Sequence, residues 1–231
     1  MKKNALLEIR DLNVEMNQEK IINNLNFKLK SGEICALVGH NGAGKTVTMK
    51  TIMGIQKKNS GIITLNNYCI DSDYYNYKSQ FSYIPEEPLL FMELTVFEHF
   101  QLYGKSYNVP PELFEERVEY YVNGLELNGK LNNYPDDLSK GMRQKVNIIC
   151  SLITDAPLLI VDEPFIGLDE NASLFLENQL INKARKGTSI LLTSHVIERI
   201  KKFCNSFIML KNGQIIQQGK INNLEGIERR I

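Results

Sequence analysis

Apolar positions along the chain follow two rhythms, and the change between them divides it. Near the start the runs are short: Leu6 to Ile9, then Leu25 to Leu29 with alternating apolar positions, then the continuous run Ile34 to Val38, all of strand length. Phe81 to Ile84 reads as another strand. From Pro88 to about Asp137 the spacing lengthens. Phe114, Val118, Tyr121, Val122 and Leu125 stand at offsets 0, 4, 7, 8 and 11, one face of a helix entered through Pro110-Pro111, so this stretch is expected to be a mainly helical insertion. Val146, Ile149, Cys150 and Ile153, at offsets 0, 3, 4 and 7, mark a further helix. Leu158 to Val161 is then too short for a helix and apolar enough for a strand buried on both faces.

A helix from about Ala172 to Gly187 follows, with Lys183, Arg185 and Lys186 in its last turn, where the helix dipole favours cations. Ser189 to Thr193 is another buried strand, followed by a helix carrying Val196, Ile200 and Phe203. Ser206 to Leu210 and Gln214 to Gln218 flank Asn212-Gly213, a strong hairpin signal. Strands alternating with helices predict an α/β domain with a mainly parallel sheet and antiparallel pieces at both ends.

Composition narrows the function. In 231 residues, 27 Lys plus Arg balance 27 Asp plus Glu, which argues against nucleic acid as a partner, since such binding rests on many cationic contacts to phosphates. Hydrophobic residues at 43% and charged residues at 23% exclude disorder as a general description. No apolar stretch approaches the roughly 20 residues that span a bilayer, and Glu8 and Arg10 interrupt any signal-peptide core in the start Met1 to Arg10. Cys35, Cys69, Cys150 and Cys204 are scattered without a CxxC pair, as expected of small buried hydrophobes in a reducing cytosol.

The chemistry sits in three segments. Gly39-His40-Asn41-Gly42-Ala43-Gly44-Lys45-Thr46 satisfies G-x-x-x-x-G-K-[ST] between a buried strand and a helix beginning near Lys45. Its glycines let backbone N–H groups converge on phosphate oxygens, and the helix N-terminus adds unpaired donors. Lys45 supplies a charge for the β- and γ-phosphates, and the Thr46 hydroxyl suits Mg²⁺. The strand Leu158 to Val161 ends in Asp162 and Glu163, acids costly to bury unless they have work at the sheet's carboxyl end: Asp162 on Mg²⁺, Glu163 polarising a water. Leu138-Ser139-Lys140-Gly141-Met142 opens the helix of Val146; alone, Ser139 reads as an N-cap.

Taken in order, these segments resemble the ATP-binding subunits of ABC transporters, from about Leu6 to Leu224. The Walker A motif matches at Gly39 to Thr46, Walker B at Leu158 to Asp162 with Glu163 as the catalytic glutamate, and the signature, usually LSGGQ, at Leu138 to Met142. The D-loop matches at Gly167-Leu168-Asp169 and the switch histidine at His195. The resemblance implies a single ATPase domain of P-loop NTPase fold, with residues 1–87 and 155–231 forming the nucleotide-binding core beside an N-terminal antiparallel β subdomain, and 88–154 the helical subdomain. It implies ATP and Mg²⁺, held by the loop Gly39 to Val47, Asp162 and Glu86, with Lys45, Glu163 and His195 in catalysis. It also implies a head-to-tail dimer, with itself or a related ATPase, in which Ser139, Gly141 and Asp169 complete the partner's site. A multi-span membrane permease would be the further partner, placing the chain in the cytoplasm against the inner face of the cell membrane.

The departures from the family pattern are informative. Pro85-Glu86 stands where the family has a glutamine, and Tyr83 to Glu87, Lys140, Met142 and Glu93 to Val96 resemble the ABC-2-type branch that exports drugs, antibiotics and bacteriocins. Met16 stands where the family stacks an aromatic ring on adenine. Phe91, Phe97, Phe100 and Tyr103 are either core packing or anchors of a permease groove, and the side chains of His40 and His99 are read as structural or solvent-facing. The competing readings are an importer-type or soluble ABC ATPase and a nucleotide-gated regulatory module; retention of Glu163 and His195 argues against the last.

Overall fold

The computed structural model describes residues 5–224, so the first residues of the Met1 to Arg10 start lie outside the described residues. The chain runs β1 (Ala5–Met16), β2 (Glu19–Lys30), β3 (Ile34–Val38), α1 (Lys45–Ile52), β4 (Ser60–Leu65), β5 (Tyr68–Cys69), α2 (Tyr74–Lys78) and β6 (Phe81–Ile84). It continues through α3 (Val96–Ser106), α4 (Pro111–Gly124), α5 (Lys140–Leu152), β7 (Leu158–Val161), α6 (Glu170–Arg185), β8 (Ser189–Leu192), α7 (Ile197–Phe203), β9 (Ser206–Lys211) and β10 (Gln214–Lys220).

Two sheets form the frame. A six-stranded sheet has the order β10-β9-β3-β8-β7-β6, parallel except for the antiparallel edge strand β10. A four-stranded antiparallel sheet has the order β2-β1-β4-β5. Strand alternation serves both faces of the large sheet. Ile34, Ala36 and Val38 of β3 pack with Phe100, Val118 and Ile149 on the helical side, whereas Cys35 and Leu37 pack with Met49, Leu7 and Phe27 toward the small sheet. That double burial accounts for the continuous apolar runs of β3, β7 and β8.

β1 and β2 are each 12 residues, longer than their alternating cores Leu6 to Ile9 and Leu25 to Leu29. The pairing shifts register between Ile9 and Leu12, and Asp11 and Asn24 adopt positive φ, so bulges interrupt the two-residue rhythm inside continuous strands. Val196 stands before α7 rather than in it, and is exposed. All four cysteines are free thiols, with Cys35, Cys150 and Cys204 buried. No helix among the described residues is long and apolar enough to cross a membrane.

Candidate functional site

The parallel strands point their carboxyl ends at one region. β3 leads into the Gly39 loop, β6 into Glu86, β7 into Asp162-Glu163 and β8 into Thr193 to His195. Ile21, Asn41 to Val47, Glu86, Asp162, Glu163 and His195 line a single cavity of about 420 Å³ there. Two larger cavities, about 540 and 510 Å³, open beside Arg117, Tyr121 and Lys186, and none of the motif residues lines them.

The loop is arranged for an anion. α1 starts at Lys45 directly after left-handed Gly44, with no side-chain cap and no acid in its first turn, so its N-terminal donors face no competing carboxylate of their own helix. The Lys45 ammonium donates to the carbonyls of Gly39 (2.7 Å) and His40 (3.2 Å), which leaves one of its three N–H donors. Burial lowers its pKa, while Glu163, Asp162 and Glu86 pull the other way. Gly39 and His40 thus serve the site from beneath, through their carbonyls; His40 Nδ1 itself lies 2.6 Å from Asn41 O.

The two acids are organised by Thr193, a residue that the motifs did not single out. Its hydroxyl donates to Asp162 Oδ1 (2.6 Å) and accepts from the Glu163 N–H (3.0 Å). Glu163 adopts a left-handed φ of 44°, a conformation rare for a side-chain-bearing residue and common at functional sites. Its Oε2 accepts from the His195 N–H (3.1 Å). His195 Nε2 lies 3.3 Å from Oε1 but off line, so this buried oxygen has no hydrogen-bond partner. Burial raises the Glu163 pKa, against the lowering influence of His195.

The signature segment lies outside this cavity. Ser139 caps α5, accepting from the Met142 N–H (3.3 Å). A Cβ at Gly141 would stand 2.7 Å from Gly167 O, so only glycine admits the backbone of the Gly167 to Asp169 turn there. Asp169 caps α6 through the Ala172 N–H (2.8 Å) and pairs with Lys145 (3.0 Å), contacts that lower its pKa. The starts of α5 and α6 are thus held together, by the close approach of Gly141 to Gly167 and by the Lys145–Asp169 pair, and Ser139, Gly141 and Asp169 do not line the cavity of Lys45 and Glu163.

Met16 does not line the cavity. It ends β1 opposite Glu19, is 39% exposed, and leaves the wall to Ile21. The hairpin turn at Asn17 and Gln18, both at positive φ, carries the strand end past the site. Of the insertion's aromatics, Phe100 is fully buried and Phe91 is 57% exposed. His99 is 1% exposed; its Nε2 accepts from the Phe91 N–H (2.9 Å) while Nδ1 lies 2.7 Å from Thr95 O, which marks a structural histidine.

The model of the family described as ABC transporter matches residues 22–166. This chain belongs to the ABC transporter family. It is an ATP-binding subunit of that family and one of its ATPases. The chain is 36% identical over 220 residues to the ABC-type transporter ATP-binding protein EcsA of Bacillus subtilis (strain 168), which covers 95% of this chain and 89% of the relative. It is 30% identical to the SkfA peptide export ATP-binding protein SkfE of the same organism, over 92% of this chain and 88% of that one. A solved structure of an ABC transporter's ATP-binding subunit superposes with a TM-score of 0.91 at 36% identity, covering 97% of this chain and 92% of the other. A dimeric ATP-binding cassette with ADP and Pi shares the fold at 21% identity, with a TM-score of 0.82.

Proposed function

We propose that this ABC ATPase binds ATP with Mg²⁺ in the Lys45 cavity, hydrolyses it as a head-to-tail dimer, and drives a separate multi-span membrane permease in export. The observation that carries the reading is convergence: a phosphate-type loop, two strand-end acids, Glu86 and His195 surround one cavity. The subunit would work in the cytoplasm, peripheral to the inner face of the membrane. Export is supported by relatives named for the export of Nod factor and of the SkfA peptide.

Lys45 and the N–H groups that open α1 bind the phosphates, and Ile21 covers the nucleoside end of the cavity. Among the described residues no three His, Cys, Asp or Glu side chains could hold a metal by themselves. Thr46, Asp162 and Glu86 do supply hard oxygen donors along one cavity, which fits an ion that takes one or two carboxylates and shares the rest of its shell with phosphates and water. When bound, Mg²⁺ would neutralise charge on the transferring phosphoryl group.

Glu163 orients water with its unpartnered Oε1 and accepts the proton as the water oxygen bonds to the γ-phosphorus and the bond to ADP breaks. A burial-raised pKa strengthens it as a base. Thr193 fixes the distance between the two acids, and His195 holds Oε2, so that Oε1 is the oxygen left for water. Ser139, Gly141 and Asp169 belong to the partner's nucleotide.

The test is Glu163→Gln. Loss of the base should slow hydrolysis by about 10²–10⁴-fold while ATP binding, which rests on the loop, persists and an ATP-bound dimer accumulates. Steady-state ATPase assay, nucleotide titration and solution mass measure the three. A variant hydrolysing at the parent rate removes Glu163 from this role.

A further inference from the structure

The Lys45 cavity lies at the carboxyl ends of the parallel strands, and the two larger cavities lie toward the opposite end of the same sheet. Pro157, just before β7, and Thr188, just before β8, line the one of about 510 Å³. The other, of about 540 Å³, runs along α4 and α6, and the two adjoin at Arg117, Tyr121 and Lys186.

The chain balances 27 cations against 27 acids, but this region does not. Arg117, Lys183, Arg185 and Lys186 line the two cavities against Glu116 and Asp155. Asp155 is already paired with Arg117 (2.9 Å). Among the described residues the side chains of Arg185 and Lys186 have no hydrogen-bond or ion-pair partner. Arg117 Nη1 donates to Ile153 O (2.6 Å) and Lys183 Nζ to Thr154 O (2.6 Å), carbonyls at the end of α5. That bond leaves Lys183 two of its three donors. Burial pushes its pKa down to about 8; Asp155 opposes the shift, and Arg117 and Lys186 add to it. The dipole of α6 favours cations in its last turn, yet Arg117 comes from α4, and the dipole gives no reason to enclose Lys183 beside it. An anion bound between them would offset the desolvation and the repulsion together.

The adjoining cavity is lined differently. Leu113, Tyr120 and Tyr121 supply apolar and aromatic surface, and Gln179 and Asn182 supply amides. Tyr120 is half exposed and meets the buried Tyr121 edge to face at 5.3 Å. Its hydroxyl accepts from Gln179 Nε2 (3.0 Å). Aromatic surface with convergent amides suits a flat polar ring, held by stacking and by hydrogen bonds to its edge.

We propose that Arg117, Lys183 and Lys186 bind the phosphate of a mononucleotide-class phosphate monoester, whose ring lies in the adjoining cavity against Tyr120. This second site is separate from the Lys45 cavity and independent of its chemistry.

The experiment uses the full chain carrying Lys45→Ala, so that binding at the loop does not contribute. Calorimetric titration should show a single AMP bound per chain, at least about tenfold more tightly than inorganic phosphate. Adding Lys186→Glu, at a side chain without a structural partner, should weaken AMP by about tenfold or more with the melting temperature unchanged. Lys57→Glu, an exposed charge reversal outside both cavities, should leave AMP binding as it was, and Tyr120→Ala should remove the preference for AMP over phosphate. Lipid headgroups offer the same monoester chemistry, so phosphatidylcholine vesicles with and without phosphatidic acid test that source; co-sedimentation should not depend on phosphatidic acid. The proposal is overturned by absence of AMP binding in Lys45→Ala, by equal AMP affinity in Lys186→Glu, or by phosphate binding as tightly as AMP. Capture by phosphatidic acid vesicles that needs Lys186, without AMP binding, also overturns it.

Discussion

Two helices of this molecule begin with a lysine, against the preference of the helix dipole, and they handle it differently. Lys45 opens α1 and Lys140 opens α5, where a cation is unfavourable. Both helices also lack an acid in the first turn, whereas α3, α4, α6 and α7 each carry a glutamate there. At α1 the lysine is folded onto carbonyls of its own loop and the helix has no side-chain cap. At α5 the lysine is neutralised by Glu87 and the cap is the Ser139 hydroxyl. One start is open to an anion from its own chain's cavity. The other is stabilised by its own side chains and offers its polarity outward, as expected of a half-site that acts on a second copy.

The sharpest way to break this comparison is to mix variants. Lys45→Ala should abolish nucleotide binding at its own loop, and Ser139→Ala should impair the site of the partner. Each alone should be nearly inactive as an ATPase. In an equimolar mixture about half of randomly formed dimers pair the two variants, and each such dimer holds one intact composite site. The mixture should therefore exceed either variant severalfold in ATPase rate. A mixture no faster than the average of its components would mean that Ser139 does not act across an interface.

A smaller effect concerns Glu163 and pH. Its carboxyl titrates above the ordinary 4.5 because it is buried. Between 4.5 and the raised value the folded chain holds a proton that the unfolded chain has released, so stability falls as pH rises through that interval. Glu163→Gln should then melt at a higher temperature than the parent at pH 7, and the difference should vanish below the ordinary carboxylate value, where both states are protonated. Calorimetry across pH checks it; a variant less stable at pH 7 would contradict the assigned direction.

The smallest effect should come from Lys140→Ala. Lys140 and Glu87 are both more than half exposed, and such pairs contribute about 0–1 kcal/mol. Removing the lysine also relieves a cation at a helix start. The melting temperature should hardly move, in contrast to the loss of binding in Lys45→Ala, although the two residues occupy the same helical position. An equal loss of ATP binding in Lys140→Ala would erase the distinction between the two helix starts.

Much of this was legible in the sequence because the chemistry lies in contiguous runs. The Gly39 loop, the strand before Asp162 and the cap at Ser139 each combine a local pattern with a local role. Thr193 escaped because its partners are 30 and 31 residues away, and a Thr ending an apolar strand carries no signal by itself. β4 was also hard to see, since only Ile63 and Leu65 among its residues are buried. The hairpin β1–β2 hid its length behind bulges, and with no motif between Leu12 and Ile22 the sequence pointed to Met16, whereas it is Ile21 that lines the cavity.

The hairpin Asn212-Gly213 carries a last consequence. Both residues adopt positive φ, as a two-residue turn requires. Yet Gly213 is also fastened at both ends of its peptide: its N–H donates to Ala43 O (3.1 Å) in the phosphate-type loop, and its carbonyl accepts from the Asn23 N–H (2.9 Å) in β2. A Cβ there would collide with Ile21 O. Most hairpins can drift through asparagine or aspartate at the second turn position without harm. Here the same drift would pull on the loop proposed to bind the phosphates and on the strand whose Ile21 lines the cavity. A turn more than 160 residues downstream of that loop is thus part of its address, and a library of variants screened only for ATP turnover should find Gly213 as intolerant as the glycines of the loop itself.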